Sequence, residues 1–573
     1  MTKIPPYSDT ETDLLYSSRR QFLAGVAVTP MLAGVASAQQ GTATLNNLIP
    51  PMPDADKMVA HKAMVPMRDG AKLALDLYYP EGNGPWPVIL TRTPYSRRQP
   101  YMFAPLYFLL QAGFVLAVQD CRGRFDSEGV YRPFLDDMED GYDTVEWLAV
   151  QSWSTGRIGM TGASAMGITA YMAAMAQAPH LAAAAVMVAR NPCSTLSRFP
   201  GGLFLENGAG DWNKIVGLSD SELKVPHIAA YTADDIRVDL RRFYSRINVP
   251  FIHMGGWFDI HEQPIIDNFT HFQAEAALPA RGNQKLIMTA SGHLGPVKGL
   301  TFPVDPGASS ISQDSSLRWF NHWLKGEENG VMAEPAVRYY LMGDTLDPAA
   351  PGNKWREAQS WPPKAETTPL YLQQDGRLLP QAAKTAAQRS YVYDPKNAVP
   401  TVGGNNLTMD TGPMDQRPVS SRPDVLRFVS ETLSAATEVV GHLNVELWVS
   451  TDAEDTDFIV KLVDIYPDGY EALIRDQGLR LRHYKGLYSQ TRIEPGRIYP
   501  ITIDLWSTAL VFNKGHRIGL FVQSSNWPRF ERHTNTWDPV PSYDQAVKAT
   551  NIIHVGPDHP SRIILPVTKI YSS

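Results

Sequence analysis

The chain has 573 residues, 43% hydrophobic, 19% charged and 10% aromatic; a single core rarely grows past about 250–300 residues, so more than one domain is required. Its 20 Phe, 24 Tyr and 13 Trp exclude disorder, and its 42 Gly and 45 Pro follow no fibrous period. With 52 basic against 59 acidic residues the net charge is −7, which disfavours nucleic acid as a partner, and the two cysteines, Cys121 and Cys193, cannot build a disulfide framework or a four-thiolate zinc site.

Residues 1–38 read as an export signal. Ser18-Arg19-Arg20-Gln21-Phe22-Leu23 precedes an apolar stretch from Ala24 to Val35 and the small-residue run Ala36-Ser37-Ala38, the pattern of a twin-arginine signal cleaved after Ala38. An apolar stretch of about a dozen residues cannot cross roughly 30 Å of hydrocarbon. No cysteine stands near the cleavage point, and no later stretch has about 18 uninterrupted apolar residues, so a periplasmic or secreted protein without a stable membrane anchor is expected. Residues 39–59 are polar and proline-rich, an N-terminal arm.

From residue 60, short apolar runs alternate with helical patterns. Lys72–Tyr78 alternates like a half-buried strand. Val88–Leu90, Phe114–Val118, Ile158–Thr161, Ala183–Val188, Phe251–Met254 and Leu286–Thr289 are continuous apolar runs, and helical patterns cover Met138–Val150 and Ala165–Ala178. Buried parallel strands separated by helices predict an α/β fold. Residues 191–248 break that rhythm and are read as a helical cap inserted over the carboxyl ends of the strands. This leaves 60–190 and 249–330 as the catalytic unit, closed by a helix at Leu317–Leu324. From 331 to 573 helical periodicity disappears. Short strands such as Val337–Met342, Leu443–Ser450, Phe458–Ile465 and His516–Val522 predict an all-β sandwich of jelly-roll type.

The run Arg157-Ile158-Gly159-Met160-Thr161-Gly162-Ala163-Ser164-Ala165-Met166-Gly167 takes an apolar strand through a tight turn into an Ala/Met-rich helix. Small neighbours hold the Ser164 hydroxyl clear of the backbone, and the Ala165 N–H at the helix start can bind an oxyanion. The second glycine stands at Gly167, one place later than in the commonest form of this turn. Serine needs a base and an orienting acid. Asp259 ends Gly255-Gly256-Trp257-Phe258-Asp259, just past the run Phe251–Met254, and His293 ends Ser291-Gly292-His293, past Leu286–Thr289. All three therefore fall at the carboxyl edge of one sheet, in the order of an α/β-hydrolase. Each position also has an ordinary reading: a glycine-rich turn that only packs, an aspartate that only forms a turn, a surface histidine. His253 reads as core, His180, His442 and His516 as turn or surface positions, and His261 and Glu262 as either pocket or solvated residues. No HExxH, CxxC, Asp-rich loop or glycine-rich nucleotide loop occurs, so neither a metal nor another cofactor is expected.

Val65-Pro66-Met67-Arg68-Asp69-Gly70, Thr93-Pro94-Tyr95, Asp120-Cys121-Arg122-Gly123-Arg124-Phe125-Asp126-Ser127-Glu128-Gly129, the Ser164 turn, Gly255–Asp259, Gly292-His293 and Lys514-Gly515-His516-Arg517-Ile518 follow one another along the chain. In these motifs it resembles the CocE/NonD hydrolases, a family of cocaine-esterase-like and α-amino-acid-ester hydrolases, glutaryl acylases and X-prolyl dipeptidyl peptidases, over essentially the whole mature length. The resemblance implies an α/β-hydrolase core with a helical cap and a C-terminal β-domain. It also implies Ser164 as nucleophile, His293 as base and then acid, Asp259 as its orienter, and Tyr95 as an oxyanion donor beside the Ala165 N–H. The family usually carries Tyr directly after the nucleophile, where this chain has Ala165. Its amino-acid-ester members hold a substrate ammonium with clustered carboxylates; here Glu262 follows the acid by three residues, His261 replaces a neighbouring acid, and no acid stands near Asn191–Ser194.

Together these readings predict an exported serine hydrolase that cleaves carboxylic esters, and amides second, through an acyl-enzyme. Its partner is a small-molecule ester or amide in a pocket shaped by Trp257, Phe258, His261, Glu262, Phe204 and Trp212. The alternatives are an X-Pro dipeptidyl peptidase, a glutaryl or β-lactam acylase and, in another class, an inactive hydrolase-fold binding protein. The natural substrate, recognition of an α-amino group, assembly into a homo-oligomer and pairing of Cys121 with Cys193 stay open.

Overall fold

In the computed structural model, which describes residues 60–218, 229, 231–303, 308–538 and 542–571, the strands fall into two sheets. The expected signal and arm, residues 1–59, lie outside the described residues. In the first sheet β1 (His61–Pro66) and β2 (Lys72–Tyr78) form an antiparallel hairpin at one edge. β3 (Trp86–Thr93), β4 (Val115–Asp120), β5 (Ser154–Ala163), β6 (Leu181–Met187), β7 (Phe251–Phe258), β8 (Lys285–Gly292) and β9 (Val337–Leu341) run parallel, and β10 (Lys354–Ala358) closes the other edge antiparallel. The order is β1-β2-β4-β3-β5-β6-β7-β8-β9-β10.

Alternate residues of a central strand enter different cores. Val88 and Leu90 of β3 pack with helices Asp137–Ala149 and Ala165–Met175, whereas Ile89 packs with Trp319, Phe320 and Leu324 of helix Ala308–Lys325. Helices on both faces leave no solvated side, which is why these strands read as continuous apolar runs. Helix Ala165–Met175 is buried along its entire length, so it lacks an amphipathic stripe and mixes small residues with Met, Ile and Tyr. Its neighbour approaches closely at Gly141, where a Cβ would lie 2.9 Å from Ala173 Cβ. Between β6 and β7 the described part of the insertion carries the short helices Ser194–Arg198, Asp211–Ile215 and Ala233–Val238.

The second sheet contains β11 (Glu366–Leu372), β12 (Arg377–Leu379), β13 (Ala387–Tyr393), β14 (Leu426–Ser430), β15 (Thr437–Thr451), β16 (Asp457–Ile465), β17 (Glu471–Arg480), β18 (Tyr499–Phe512), β19 (Arg517–Gln523), β20 (Ala549–Val555) and β21 (Arg562–Ile570). All pairs are antiparallel apart from β12 with β14. Side chains of β15 and β21, such as Val445 and Ile563, share one core with Val460 of β16 and Leu520 of β19, so the sheet folds back over its own interior. Trp257, Phe258, Ile265 and Phe269 of the α/β unit belong to that same core. No helix among the described residues is long and apolar enough to cross a membrane.

Several expectations need correction. Val337–Leu341 and Lys354–Ala358 lie beyond residue 330 yet complete the first sheet, with Val337 opposite Leu286 of β8. A short apolar strand at a boundary carries no mark of the sheet it will join. The chain passes to the second sheet at Met342, which exchanges 2.9 Å backbone hydrogen bonds with Ala509 and Val511. His516 is not a surface residue. It is 1% exposed and its ring nitrogens lie 2.9 Å from Asp464 and 3.2 Å from Asp344. Burial opposes its protonation, but the hydrogen bonds to the two carboxylates outweigh that cost and raise its pKa. Cys121 and Cys193 are buried free thiols, unbridged.

β17 escapes sequence reading because Glu471, Arg475, Asp476 and Arg480 give it the look of a loop, yet all four are buried. Arg475 reaches across the boundary between the two sheets. Its Nη2 lies 3.7 Å from Glu262 Oε1, and both side chains are at most 1% exposed. Burial drives the Glu262 carboxyl well above its ordinary pKa, opposed by the nearby guanidinium. Removing one partner of such a pair typically costs about 3–5 kcal/mol. Arg475→Met should therefore lower stability by about 3 kcal/mol in denaturant unfolding, and Glu262→Gln added to it should restore part of the loss. Wild-type stability in the single variant would show that the pair does not hold the sheets together.

Candidate active site

β5 delivers Ser164 on a turn with φ 55° and ψ −124°, a conformation that L residues avoid. Two glycines permit it. A Cβ on Gly162 would lie 2.5 Å from Met166 Cβ, and one on Gly167 would lie 2.7 Å from Ala189 Cβ and 2.9 Å from the Gly162 carbonyl oxygen. The second small position is thus set by packing of the helix on the following loop, which accounts for glycine at 167. The Ser164 N–H donates to Met187 O at 2.9 Å, fixing the turn to β6. Ala165 is the first residue of the helix, so its N–H has no partner within the helix.

Asp259 and His293 come from the ends of β7 and β8. A Cβ on Gly256 would lie 2.3 Å from Ser291 O, so glycine there lets the two strand ends converge. His293 Nδ1 lies 2.9 Å from Asp259 Oδ1, and His293 Nε2 lies 3.0 Å from Ser164 Oγ. With Nδ1–H donating to the carboxylate, Nε2 is left to accept the serine proton. The His261 N–H also donates to Asp259 Oδ1, at 2.7 Å. All three side chains are buried.

The β-domain holds the acid in place. Asn405 Nδ2 donates to the carbonyl oxygens of Asp259 (2.7 Å) and Trp257 (3.3 Å), Thr411 Oγ1 donates to Phe258 O at 3.1 Å, and Arg475 Nη1 donates to Trp257 O. Thr411 also fills the space above Gly292, where a Cβ would meet its Cγ2 at 2.5 Å. Nothing in the local sequence around Asn405 or Thr411 marks this role, because it exists only in the docked arrangement.

Tyr95 follows β3 in a loop tied down by buried charge. The Arg97 N–H donates to Asp120 (2.7 Å), while its guanidinium donates to Asp76 (2.9 Å), Asp126 (2.8 Å) and Asp120; Arg124 Nε donates to Pro94 O at 2.9 Å. The motif from Asp120 to Gly129 thus scaffolds the Tyr95 loop. The Tyr95 hydroxyl accepts from Trp212 Nε1 at 2.7 Å. Burial pushes its pKa up to about 12, so it stays protonated through the neutral range.

A cavity of about 520 Å³ opens in front of Ser164, lined among others by Phe134, Arg190, Arg198, Trp212, Ile260 and His261. Of the expected pocket residues, Trp212 and His261 line it and four do not. Trp257 is buried and donates to Tyr340 O at 2.7 Å, and Phe258 packs on Phe302 with ring centroids 6.4 Å apart. Glu262 faces Arg475, and Phe204 packs on Phe199 at 5.5 Å. The first three lie beside Asp259 in sequence, but the β-domain covers that side of β7 and draws them into its core. His261 sits edge-on to His293 at 5.2 Å; burial, with His293 and Arg190 adding to it, drives its pKa well down and keeps it neutral. Among the described residues no cluster of His, Cys, Asp and Glu could hold a metal ion.

A serine on a strand-to-helix turn, followed in chain order by an aspartate and a histidine at the ends of parallel strands, defines a serine hydrolase of the α/β-hydrolase fold. Two family models match the chain: X-Pro dipeptidyl-peptidase (S15 family) over residues 69–236, and X-Pro dipeptidyl-peptidase C-terminal non-catalytic domain over residues 329–564. Cocaine esterase from Rhodococcus sp. (strain MB1 Bresler) is 30% identical over 593 aligned positions, covering 90% of this chain and 100% of that protein. The chain belongs to the CocE/NonD hydrolase family. An α-amino acid ester hydrolase structure superposes with a TM-score of 0.74 at 25% identity, covering 92% of this chain and 100% of that one. A CocE/NonD family hydrolase from Staphylococcus aureus shares the fold, with a TM-score of 0.73 at 20% identity over 89% of this chain and 94% of that one.

If Asn405 positions the acid, Asn405→Ala should lower kcat on a simple aryl ester by about tenfold to a hundredfold, the range that small misplacements cost. KM should change little. A loss confined to KM would assign Asn405 to the pocket instead.

Proposed function

We propose that the protein hydrolyses carboxylic esters through an acyl-enzyme on Ser164, and the observation that carries this is the continuous chain Asp259–His293–Ser164 with contacts of 2.9 and 3.0 Å. Ser164 Oγ attacks the ester carbonyl while His293 Nε2 takes its proton. The tetrahedral oxyanion is held by the Ala165 N–H and the Tyr95 hydroxyl. Because that hydroxyl accepts from Trp212, its own proton is free to donate. Collapse expels the alkoxide, protonated by His293, and leaves the acyl group on Ser164. Water, deprotonated by His293, then attacks the acyl carbonyl, and the second collapse releases the acid and returns the proton to Ser164. Asp259 holds the imidazole and stabilises its charged form without taking the proton.

Two relatives are named for ester substrates, cocaine esterase and α-amino acid ester hydrolase, and this favours esters over X-Pro amides. The leader from Ser18 to Ala38 supports export by the twin-arginine route, with the mature chain beginning at Gln39.

A fluorophosphonate probe should label the wild type and not Ser164→Ala. Tyr95→Phe should lower kcat on aryl esters a few hundredfold, since loss of one oxyanion donor costs about 2.7–4 kcal/mol. Normal turnover by that variant would remove Tyr95 from the oxyanion site. Absence of labelling in the wild type would favour a binding protein built on an inactive hydrolase fold.

A further inference from the structure

The cavity in front of Ser164 carries two guanidinium groups that stand in no ion pair with a carboxylate among the described residues. Arg190 stands just past the end of β6, and Arg198 ends the cap helix Ser194–Arg198; both line the cavity together with Ser164. Arg190 Nη1 donates only to backbone, to Asn191 O at 2.8 Å and Pro192 O at 3.5 Å, and its guanidinium lies 5.5 Å from the Phe134 ring centroid. Arg198 Nη2 donates to the neutral Asn213 Oδ1 at 3.0 Å. Neither makes an ion pair with a carboxylate among the described residues.

Nearby cations are treated differently. Arg132 is paired with Asp136, Arg241 with Asp239 at 2.6 Å, and Arg237 with Glu139 at 2.9 Å. The pocket's own acids compensate them only in part: Asp235 acts on Arg198 from a distance, against the larger cost of burial, and makes no ion pair with it. Asp235 is saturated by the N–H and hydroxyl groups of Thr195 and Thr232 and by Cys193 Sγ, and Asp234 is exposed at the rim. His261, on the same wall, is neutral. Burial and the neighbouring Arg198 push the Arg190 pKa down to about 10, so the group stays charged at neutral pH but is poorly solvated there. A half-buried pair of like charges with no carboxylate in contact among the described residues is costly unless a ligand supplies the opposite charge.

We infer that the substrate ester carries a carboxylate, gripped by Arg190 and Arg198 while its ester carbonyl lies at Ser164. The planar fork of guanidinium matches a carboxylate in geometry as well as charge. The same two charges disfavour a substrate with an ammonium group near the scissile bond. This substrate class rests on the serine-hydrolase reading, and the test separates the two.

Purified mature enzyme is assayed with p-nitrophenyl hexanoate, the p-nitrophenyl monoester of adipic acid, and p-nitrophenyl ε-aminohexanoate, which vary charge on the acyl side. Phenyl acetate and p-acetoxybenzoate vary it on the alcohol side. The measured quantity is the ratio of kcat/KM between charged and neutral esters within one enzyme, which a partly unfolded preparation does not alter. The wild type should prefer the anionic ester by about tenfold or more on one of the two sides, as a charge-assisted contact supplies. The aminohexanoate should be the poorest acyl substrate. In Arg190→Met and Arg198→Met the preference should collapse toward unity, with fluorophosphonate labelling reporting the competent fraction. Equal ratios in the wild type on both sides, or a preference that survives in both variants, would overturn the carboxylate assignment while leaving the hydrolase intact. Cleavage of none of these esters, with Ser164 unlabelled, would overturn the hydrolase reading and the substrate class with it.

Discussion

The last carbonyls of β7, those of Trp257 and Phe258, and the next one, that of Asp259, all accept hydrogen bonds from the β-domain, through Arg475, Asn405 and Thr411. The end of a parallel strand leaves such groups without ladder partners, and burial makes them expensive unless donors are found. Here the donors come from residues more than a hundred positions later in the chain. The backbone they fix carries Asp259, whose carboxylate sets the His293 ring, whose Nε2 meets Ser164. The geometry of Ser164, His293 and Asp259 therefore depends on docking of the β-domain, even though none of its side chains belongs to that chain of contacts.

The opposite side of the site has a comparable support. Buried Arg97 gathers Asp76, Asp120 and Asp126 around one guanidinium, and Arg124 holds the Pro94 carbonyl. Buried ion pairs contribute little net stability, but they specify one arrangement when their hydrogen bonds are complete. At this point specificity of arrangement is what the proposed role of Tyr95 requires, because an oxyanion donor works only where the charge will form.

Much of this was legible in the chain, for a physical reason. Parallel strands covered on both faces must be apolar throughout, so β3 to β8 announced themselves, and Ser164, Asp259 and His293 stood directly after three of them. What escaped depended on contacts between distant segments. β17 buries Glu471, Arg475, Asp476 and Arg480, which hydropathy scores as surface. Trp257, Phe258 and Glu262 neighbour Asp259 in sequence, which points them to the pocket, but direction is decided by what packs on β7, and the β-domain claims them. β9 joined a different sheet from the one its position suggested. Nothing in the sequence marks Arg190 and Arg198, since an arginine in a sequence does not reveal whether a carboxylate stands beside it.

Trp212 belongs to the cap, yet its indole N–H is the partner of the Tyr95 hydroxyl. The segment that walls the cavity in front of Ser164 and the group that would stabilise the reacting carbonyl are therefore joined by one hydrogen bond. Grafting a foreign cap onto this core would exchange more than the walls of the pocket, because the phenol would lose the donor that orients it. Divergence of substrate range by remodelling residues 191–248 is accordingly restricted to caps that return an equivalent donor to the same spot. Changes confined to the cavity's outer wall escape that restriction.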